Sequence, residues 1–197
     1  DLHDGVIQSL AGINLQLENL RVQAASLYPQ NEDPLVRIQQ SVQREIVALR
    51  DFTQQLRSYD VDSGNFLGFL SGLAVKFQVE HGIATRFVPE IESIELQPNV
   101  CGELARIVLE ALINVRKHSQ ASEVLIRLGY RNGDMVISVL DNGLGFGFTG
   151  HRTHDELLAS GAGPAVIMER ARSIRAKVSI ESVEGSGTCL EISLPRK

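Results

Sequence analysis

The sequence predicts an α+β chain in two parts. The first is a helical hairpin forming a four-helix bundle in a dimer, and the second is an α/β sandwich with a mixed sheet covered on one face by helices. Three observations carry this. Two apolar stripes at helical spacing run through the first 59 residues, broken only at Tyr28 to Pro34. From Phe66 onward, stretches of helical period mix with stretches of strand alternation, the pattern of a layered domain. Asn132-Gly133 separates two β-branched runs, a strong hairpin signal. The corresponding parts are 1–60 for the hairpin, 61–65 for a linker and 66–197 for the sandwich.

In the first helix, Val6, Leu10, Ile13, Leu17, Leu20, Ala24 and Leu27 recur every three or four residues, as in a packed bundle. Asp33 can cap a second helix with Pro34 in its first turn. Leu35, Ile38, Val42, Ile46, Leu49, Phe52 and Leu56 carry the second stripe to about Tyr59. Two helices cannot bury both stripes, so a second copy of the chain completes the bundle and a homodimer is expected.

Beyond Asp62-Ser-Gly-Asn65, Phe66 to Glu80 reads as helix with Gly82 as its C-cap, and Ile83 to Val88 as a strand ending at Pro89. A long helix is predicted over Gln97 to His118, opened by Pro98, with Leu104, Ile107, Val108, Ala111, Leu112 and Val115 on one face. Ser122 to Tyr130 and Met135 to Leu140 are the hairpin strands. Leu144 to Gly163 holds several glycines and no sustained period, so it reads as a mobile lid with a helical turn near Glu156 to Ala159. Pro164 to Ile174 is helix, and Lys177 to Val183 and Thr188 to Leu194 are strands around Glu184-Gly-Ser-Gly187.

Composition narrows the chemistry. A formal charge of -5 argues against a general nucleic-acid binder. Cys101 and Cys189 are too few and too far apart for a zinc site or disulfide framework, which fits two reduced thiols in a cytoplasm. No apolar run approaches the roughly 20 residues of a membrane span, so no membrane contact is expected of this stretch. Because the chain opens inside a motif, it is read as a fragment lacking an upstream half-helix and sensor region.

That opening motif is Asp1-Leu-His3-Asp4-Gly-Val-Ile-Gln8. Neutral imidazole is a good nucleophile, and the adjacent Asp4 can accept the proton released when a ring nitrogen is phosphorylated. Gln8, one turn after Asp4, can orient a water. Alternatively, His3 falls in phase with the apolar seam and is then simply a packed histidine.

Four later segments form a second constellation. In Glu110-Ala-Leu-Ile-Asn114-Val-Arg-Lys117-His118, the polar residues recur at helical spacing, and Asn114 can ligate magnesium while Lys117 neutralises phosphate. Asp141-Asn-Gly143-Leu-Gly145 follows a strand, where a carboxylate can accept a hydrogen bond from an exocyclic amine and glycines allow a ligand close to the backbone. Gly161-Ala-Gly163 precedes a helix whose amides can meet phosphates. Gly187-Thr188 opens the final strand. Singly, these also read as a solvated helix face and ordinary turns.

The opening motif resembles the phosphoacceptor box of bacterial sensor histidine kinases partnered with NarL-type response regulators. The four segments resemble the N box, two glycine boxes and closing Gly-Thr of the ATP-binding domain shared by histidine kinases, type II topoisomerases, MutL and heat-shock ATPase chaperones. The resemblance spans Leu96 to Pro195 and Asp1 to Tyr59. It implies a sensor histidine kinase: His3 is autophosphorylated from ATP, Asp4 is its base, and the phosphoryl group passes to a regulator aspartate. Gln8 would then assist hydrolysis of the regulator's phospho-aspartate. Asn114 would hold Mg2+, with Glu110 and Lys117 flanking the phosphates. Asp141 would recognise adenine, Gly143, Gly145, Gly161 and Gly163 would shape pocket and lid, and His118, Gly187 and Thr188 would also bind ATP. An alternative is a catalytically silent nucleotide- and regulator-binding module of the same fold.

Three departures stand out. Pro164 replaces the usual Leu and Ile167 the usual Met, which is expected to alter lid movement. Arg175-Ala176 replaces a Gly pair, so that helix cap must be built without glycine. His81, His151 and His154 are expected to face solvent.

Overall fold

The computed structural model describes residues 61–195. The predicted hairpin and its dimer seam, with His3, Asp4 and Gln8, lie outside the described residues. Six strands form one mixed sheet in the order β1-β2-β3-β6-β5-β4. β1 (Ala84–Pro89) pairs parallel with β2 (Glu123–Arg131). The other neighbours, β3 (Asp134–Asp141), β6 (Gly187–Leu194), β5 (Lys177–Val183) and β4 (Gly150–Arg152), are joined antiparallel.

Residues 62–65, expected as linker, form a tight turn in which Asp62 and Asn65 each accept the other's backbone N–H. Val61 beside it is buried. Helix α1 (Phe66–His81) then buries Phe66, Leu70, Leu73, Ala74 and Phe77, and ends at Gly82 with φ of 69°. The left-handed conformation explains glycine there. Pro89 closes β1 on the sheet edge, where its missing N–H breaks no ladder bond.

Helix α2 (Pro98–Asn114) carries Pro98 in its first turn and buries Cys101, Leu104, Ala105, Ile107, Val108, Leu109, Ala111 and Leu112. The predicted α-helix to His118 instead changes pitch: Val115–Ser119 is a π turn. The β2–β3 hairpin turns on Asn132 and Gly133 with φ of 53° and 90°, the paired positive values of a type I′ turn.

Strand alternation supplies the inner face of the sheet. Ile126, Val139, Leu190 and Ile180 lie in one cross-strand row, and Leu128, Ile137, Ile192 and Val178 in the next. All are buried, where helices cover the sheet.

The segment expected as an irregular lid contains two elements. β4 adds to the sheet edge, and helix α3 (His154–Ser160) is closed at its start by a capping box between Thr153 and Glu156 and at its end by Gly161 at φ 63°. Helix α4 (Ala165–Ser173) starts from Pro164 as N-cap. Its far end closes with Arg175 N–H donating to the Arg172 carbonyl and Ala176 N–H to the Ala171 carbonyl, a Schellman arrangement with Arg175 at φ 58°. The cap is therefore built, as the sequence requires, from a non-glycine residue in the left-handed region.

Cys101 and Cys189 are free thiols. Burial pushes both above the ordinary thiol value, and Cys189, with Glu181 and Glu191 adding to the effect, reaches about 11. Among the described residues, no helix is long and apolar enough to cross a membrane.

Candidate functional site

Sheet register assembles the site. Asp141, the last residue of β3, is paired with Thr188 of β6, and Thr188 with Ser182 of β5. One row further in, Val139 pairs with Leu190. Because side chains two apart on a strand share a face, Asp141, Thr188, Val139 and Leu190 all reach the helix-covered side. They line one cavity of about 410 Å³ together with Ala111, Asn114, Val115, His118 and Ser119 from α2 and the π turn. Gly145, Phe146 and Gly147 contribute from the loop after β3, and Ala162, Gly163, Pro164 and Ile167 from the start of α4.

The loop after β3 is fastened by side chains far away in sequence. Asn142 Oδ1 accepts the N–H groups of Ser122 and Glu123, both at 3.0 Å, and its Nδ2 donates to Ser122 Oγ at 2.9 Å. Leu144 N–H donates to the Ser119 carbonyl at 2.7 Å, and Phe146 N–H to Ser182 Oγ at 2.8 Å. Two glycines permit this closeness. A Cβ on Gly143 would overlap the Ser119 carbonyl, and one on Gly187, at φ 102°, would overlap the Asp141 carbonyl.

Asp141 Oδ1 accepts the Gly143 N–H at 2.9 Å. Burial pushes its carboxyl above the ordinary aspartate value, against the hydrogen bonds from Gly143 and the Ser119 side chain that favour the ion. The cavity therefore presents a half-buried acceptor beside an otherwise apolar floor, while Asn114 supplies an amide a turn upstream of Ser119.

Across the cavity mouth, the 150–164 segment is held mostly by its own residues. Thr153 N–H and Oγ1 both donate to Glu156, and Ser160 Oγ donates to the Glu156 carbonyl. Arg152 lies over the Phe148 ring at 4.1 Å, and Phe148 against Phe146 at 5.7 Å. Leu157 is the buried anchor of α3. His154, expected to face solvent, is half-buried, and its Nδ1 accepts the Val178 N–H at 3.2 Å. The register of β4 against β5 brings those two elements together, which no local pattern reveals. His81 and His151 are exposed.

Of the residues singled out from the sequence, Asn114, His118, Asp141, Gly145, Gly163 and Thr188 meet at the cavity. Glu110, Lys117, Gly143, Gly161 and Gly187 do not line it. Gly143 and Gly187 instead let the loop close on its neighbours, and Gly161 caps α3. Ser119, Val139, Leu190 and Phe146 join the lining without having been selected. Val139 and Leu190 were legible in principle as the same-face neighbours, two positions from Asp141 and Thr188, but Ser119 was not.

A mixed sheet covered by helices, with a polar-tipped cavity between the layers, is the architecture of the histidine kinase-, DNA gyrase B- and HSP90-like ATPase domains, and residues 101–197 match the profile of that class. Residues 1–61 match the profile described as histidine kinase. The two segments in this order define the chain: it belongs to the histidine kinase family.

Among its relatives is the sensor histidine kinase LiaS of Bacillus subtilis (strain 168), 29% identical over 195 residues that cover 99% of this chain and 52% of LiaS. The oxygen sensor histidine kinase NreB of Staphylococcus carnosus (strain TM300) is 25% identical over 199 residues, 99% of this chain and 54% of NreB. The chain thus spans about half the length of the curated relatives it matches. The crystal structure of the ATP binding domain of PrrB from Mycobacterium tuberculosis shares the fold, with a TM-score of 0.52 and 21% identity over 66% of this chain and 93% of that one.

Proposed function

We propose that this chain is the catalytic core of a two-component sensor kinase that binds ATP in the cavity between sheet and helices and autophosphorylates His3. The observation that carries the reading is the convergence of Asn114, His118, Asp141, Gly145, Gly163 and Thr188, drawn from separated segments, on one cavity of about 410 Å³. That volume is within the range of small-molecule sites, roughly 300–1,000 Å³.

The residues present suit a magnesium nucleotide. Asp141 and Thr188 offer adjacent polar groups to an adenine edge, Asn114 supplies the amide oxygen to hold Mg2+, and His118, with Glu110 and Lys117 nearby in sequence, serves the phosphates. Bound magnesium supplies neutralisation of phosphate charge. The apolar floor of Val139, Leu190 and Ile167 excludes water from the base. At the acceptor, a His3 ring nitrogen attacks the γ-phosphorus of ATP as its bond to the ADP oxygen breaks and ADP leaves, Asp4 takes the ring proton released, and the phosphoryl group then passes to an aspartate of a NarL-type response regulator. Gln8 orients water in the reverse, phosphatase direction. The chain works as a homodimer through 1–60, in the cytoplasm, with 66–197 as the ATP-binding domain.

The test is label transfer from γ-labelled ATP with magnesium to the unaltered chain, His3→Gln and Asn114→Ala. Acid-labile, base-stable label in the unaltered chain alone is the expected result. Nucleotide binding without label, even with the upstream helix restored, would instead support a silent binding module, the reading to which Pro164 and Ile167 in the cavity lining lend themselves.

A further inference from the structure

Two helices supply part of the cavity wall. α2 contributes Ala111 and Asn114 from its last turn, and α4 contributes Ile167 from its first, just after its N-cap Pro164. α4 packs on α2 with Ile167, Met168 and Ala171 buried. Apolar contact is non-directional, so by itself it sets the height and rotation of a helix only loosely. The chain leading into α4 gives little more, since the 150–164 segment is held mostly by its own residues.

A directional link joins the two helices. Glu103 Oε2 on α2 accepts a hydrogen bond from Arg170 Nη1 on α4 at 3.0 Å, across 67 positions of sequence. The two side chains are only 21% and 16% exposed, so water and salt screen them less than a surface pair. The other oxygen of the same carboxylate, Oε1, accepts Arg106 Nη1 from one turn along α2. Glu103 therefore holds its own helix with one oxygen and α4 with the other. Arg170 lies three residues after Ile167, a single turn of the same helix, so whatever fixes the first fixes the second. Neither Glu103 nor Arg170 lines the cavity. Any effect of the bridge on a ligand must pass through α4.

We propose that Glu103 and Arg170 are positioning residues for the nucleotide site: their bridge fixes α4 against α2, so that Ile167 keeps its place in the cavity wall as the segment before it opens and closes. This rests on the reading of the cavity as a nucleotide site.

In the experiment, ATP is titrated by calorimetry in magnesium buffer into the full 197-residue chain and into Arg170→Met, Glu103→Met, the double variant Glu103→Met/Arg170→Met, Glu103→Gln, Arg170→Lys and Arg106→Met. The temperature is one at which urea denaturation shows each to be folded, so that a bridge serving stability alone leaves the affinity unmoved. Each single Met variant is expected to weaken ATP binding about fivefold. The double variant should bind no more weakly than the weaker single one, because both remove the same link. Arg170 reaches Glu103 through one nitrogen, which a lysine can replace, so Arg170→Lys should stay within about twofold of the unaltered chain. Arg106→Met strips the same carboxylate of its partner on α2 alone and should also stay within about twofold. Glu103→Gln keeps the volume without the charge and carries the comparison if a Met variant fails to fold. If the Glu103 and Arg170 variants lose stability while ATP affinity holds, or Arg106→Met weakens binding as much as they do, the positioning role is overturned and the nucleotide reading stands. An unaltered chain that does not bind ATP overturns both.

Discussion

Residues 141–146 and residues 150–164 border the same cavity, yet the first stretch is tied to distant parts of the chain and the second mostly to itself. Asn142 reaches back 20 positions to Ser122, and Phe146 N–H forward 36 to Ser182. The Thr153, Glu156 and Ser160 bonds span eight positions or fewer and stay inside the segment, leaving the β4 ladder, the His154–Val178 bond and Leu157 to join that segment to the domain. A site that must keep one ligand contact fixed while admitting and releasing the ligand needs this asymmetry. Local caps can form and break without disturbing the sheet.

The largest effect is expected from Gly143→Ala, which attacks the fixed side. Its Cβ would overlap backbone at Ser119, so the loop must move, at a cost of about 3 kcal/mol with loss of ATP binding. Urea midpoints and ATP titration measure both, and near-neutral stability would show that the wall is looser than its contacts imply. Leu157→Ala attacks the other side by removing a side chain only 1% exposed, at about 2–3 kcal/mol. Hydrogen exchange should rise over 150–164 and stay low at the amides of Gly143, Leu144 and Phe146. Equal loss in both stretches would erase the contrast.

Asn142→Ala leaves three hydrogen-bonding groups of residues 122 and 123 to water and is expected to cost about 1–2 kcal/mol. Asn142→Asp retains the acceptor and should recover part of that in the same denaturation assay.

Acid gives the smallest and most discriminating effect. The Thr153 backbone N–H, then its hydroxyl, hold Glu156 below the ordinary glutamate value. A depressed carboxylate contributes stability above its unfolded pKa and loses it as pH falls through the folded one. Asp141 has the opposite sign. Its raised pKa means that its ionisation costs stability as pH climbs from the unfolded value, about 4, through the folded one. Exchange measured as pH falls below the ordinary glutamate value, about 4.3, should show protection at α3 falling with acid in the unaltered chain and not in Glu156→Gln. In denaturation, Asp141→Asn should flatten the decline in stability that begins as pH rises above about 4. A response of the same sign at both sites would contradict the assignment.

The two sides also differ in how legible they were. The Thr153-to-Glu156 capping box is a four-residue pattern, and the expected turn at Glu156 to Ala159 falls inside α3. The seven-residue helix and three-residue β4 were obscured by the surrounding glycines, since elements this short show no sustained period. The His154 contact lay beyond reach, because β4 finds its place only through β5. On the fixed side the reverse held: Asp141 and its glycines were conspicuous, while their supports Asn142, Ser119 and Ser182 are common polar residues that gain meaning only from what they touch.

By itself the sequence determined the order of the longer helices and strands from residue 66 onward, without β4 and with only a turn of α3, together with the Asn132-Gly133 hairpin, the cap at Gly82 and the proline-led start of α2. Each is a local matter, settled by backbone preferences or by side chains within a turn of one another. Tertiary structure decided the rest. It placed β6 between β3 and β5, setting Asp141 beside Thr188, changed the pitch at Val115–Ser119, and divided the candidate residues into those that line the cavity and those that support it. Strand pairing across some 50 residues is chosen by the packing of the whole inner face, where a shift of one residue would turn Asp141 away from the helices.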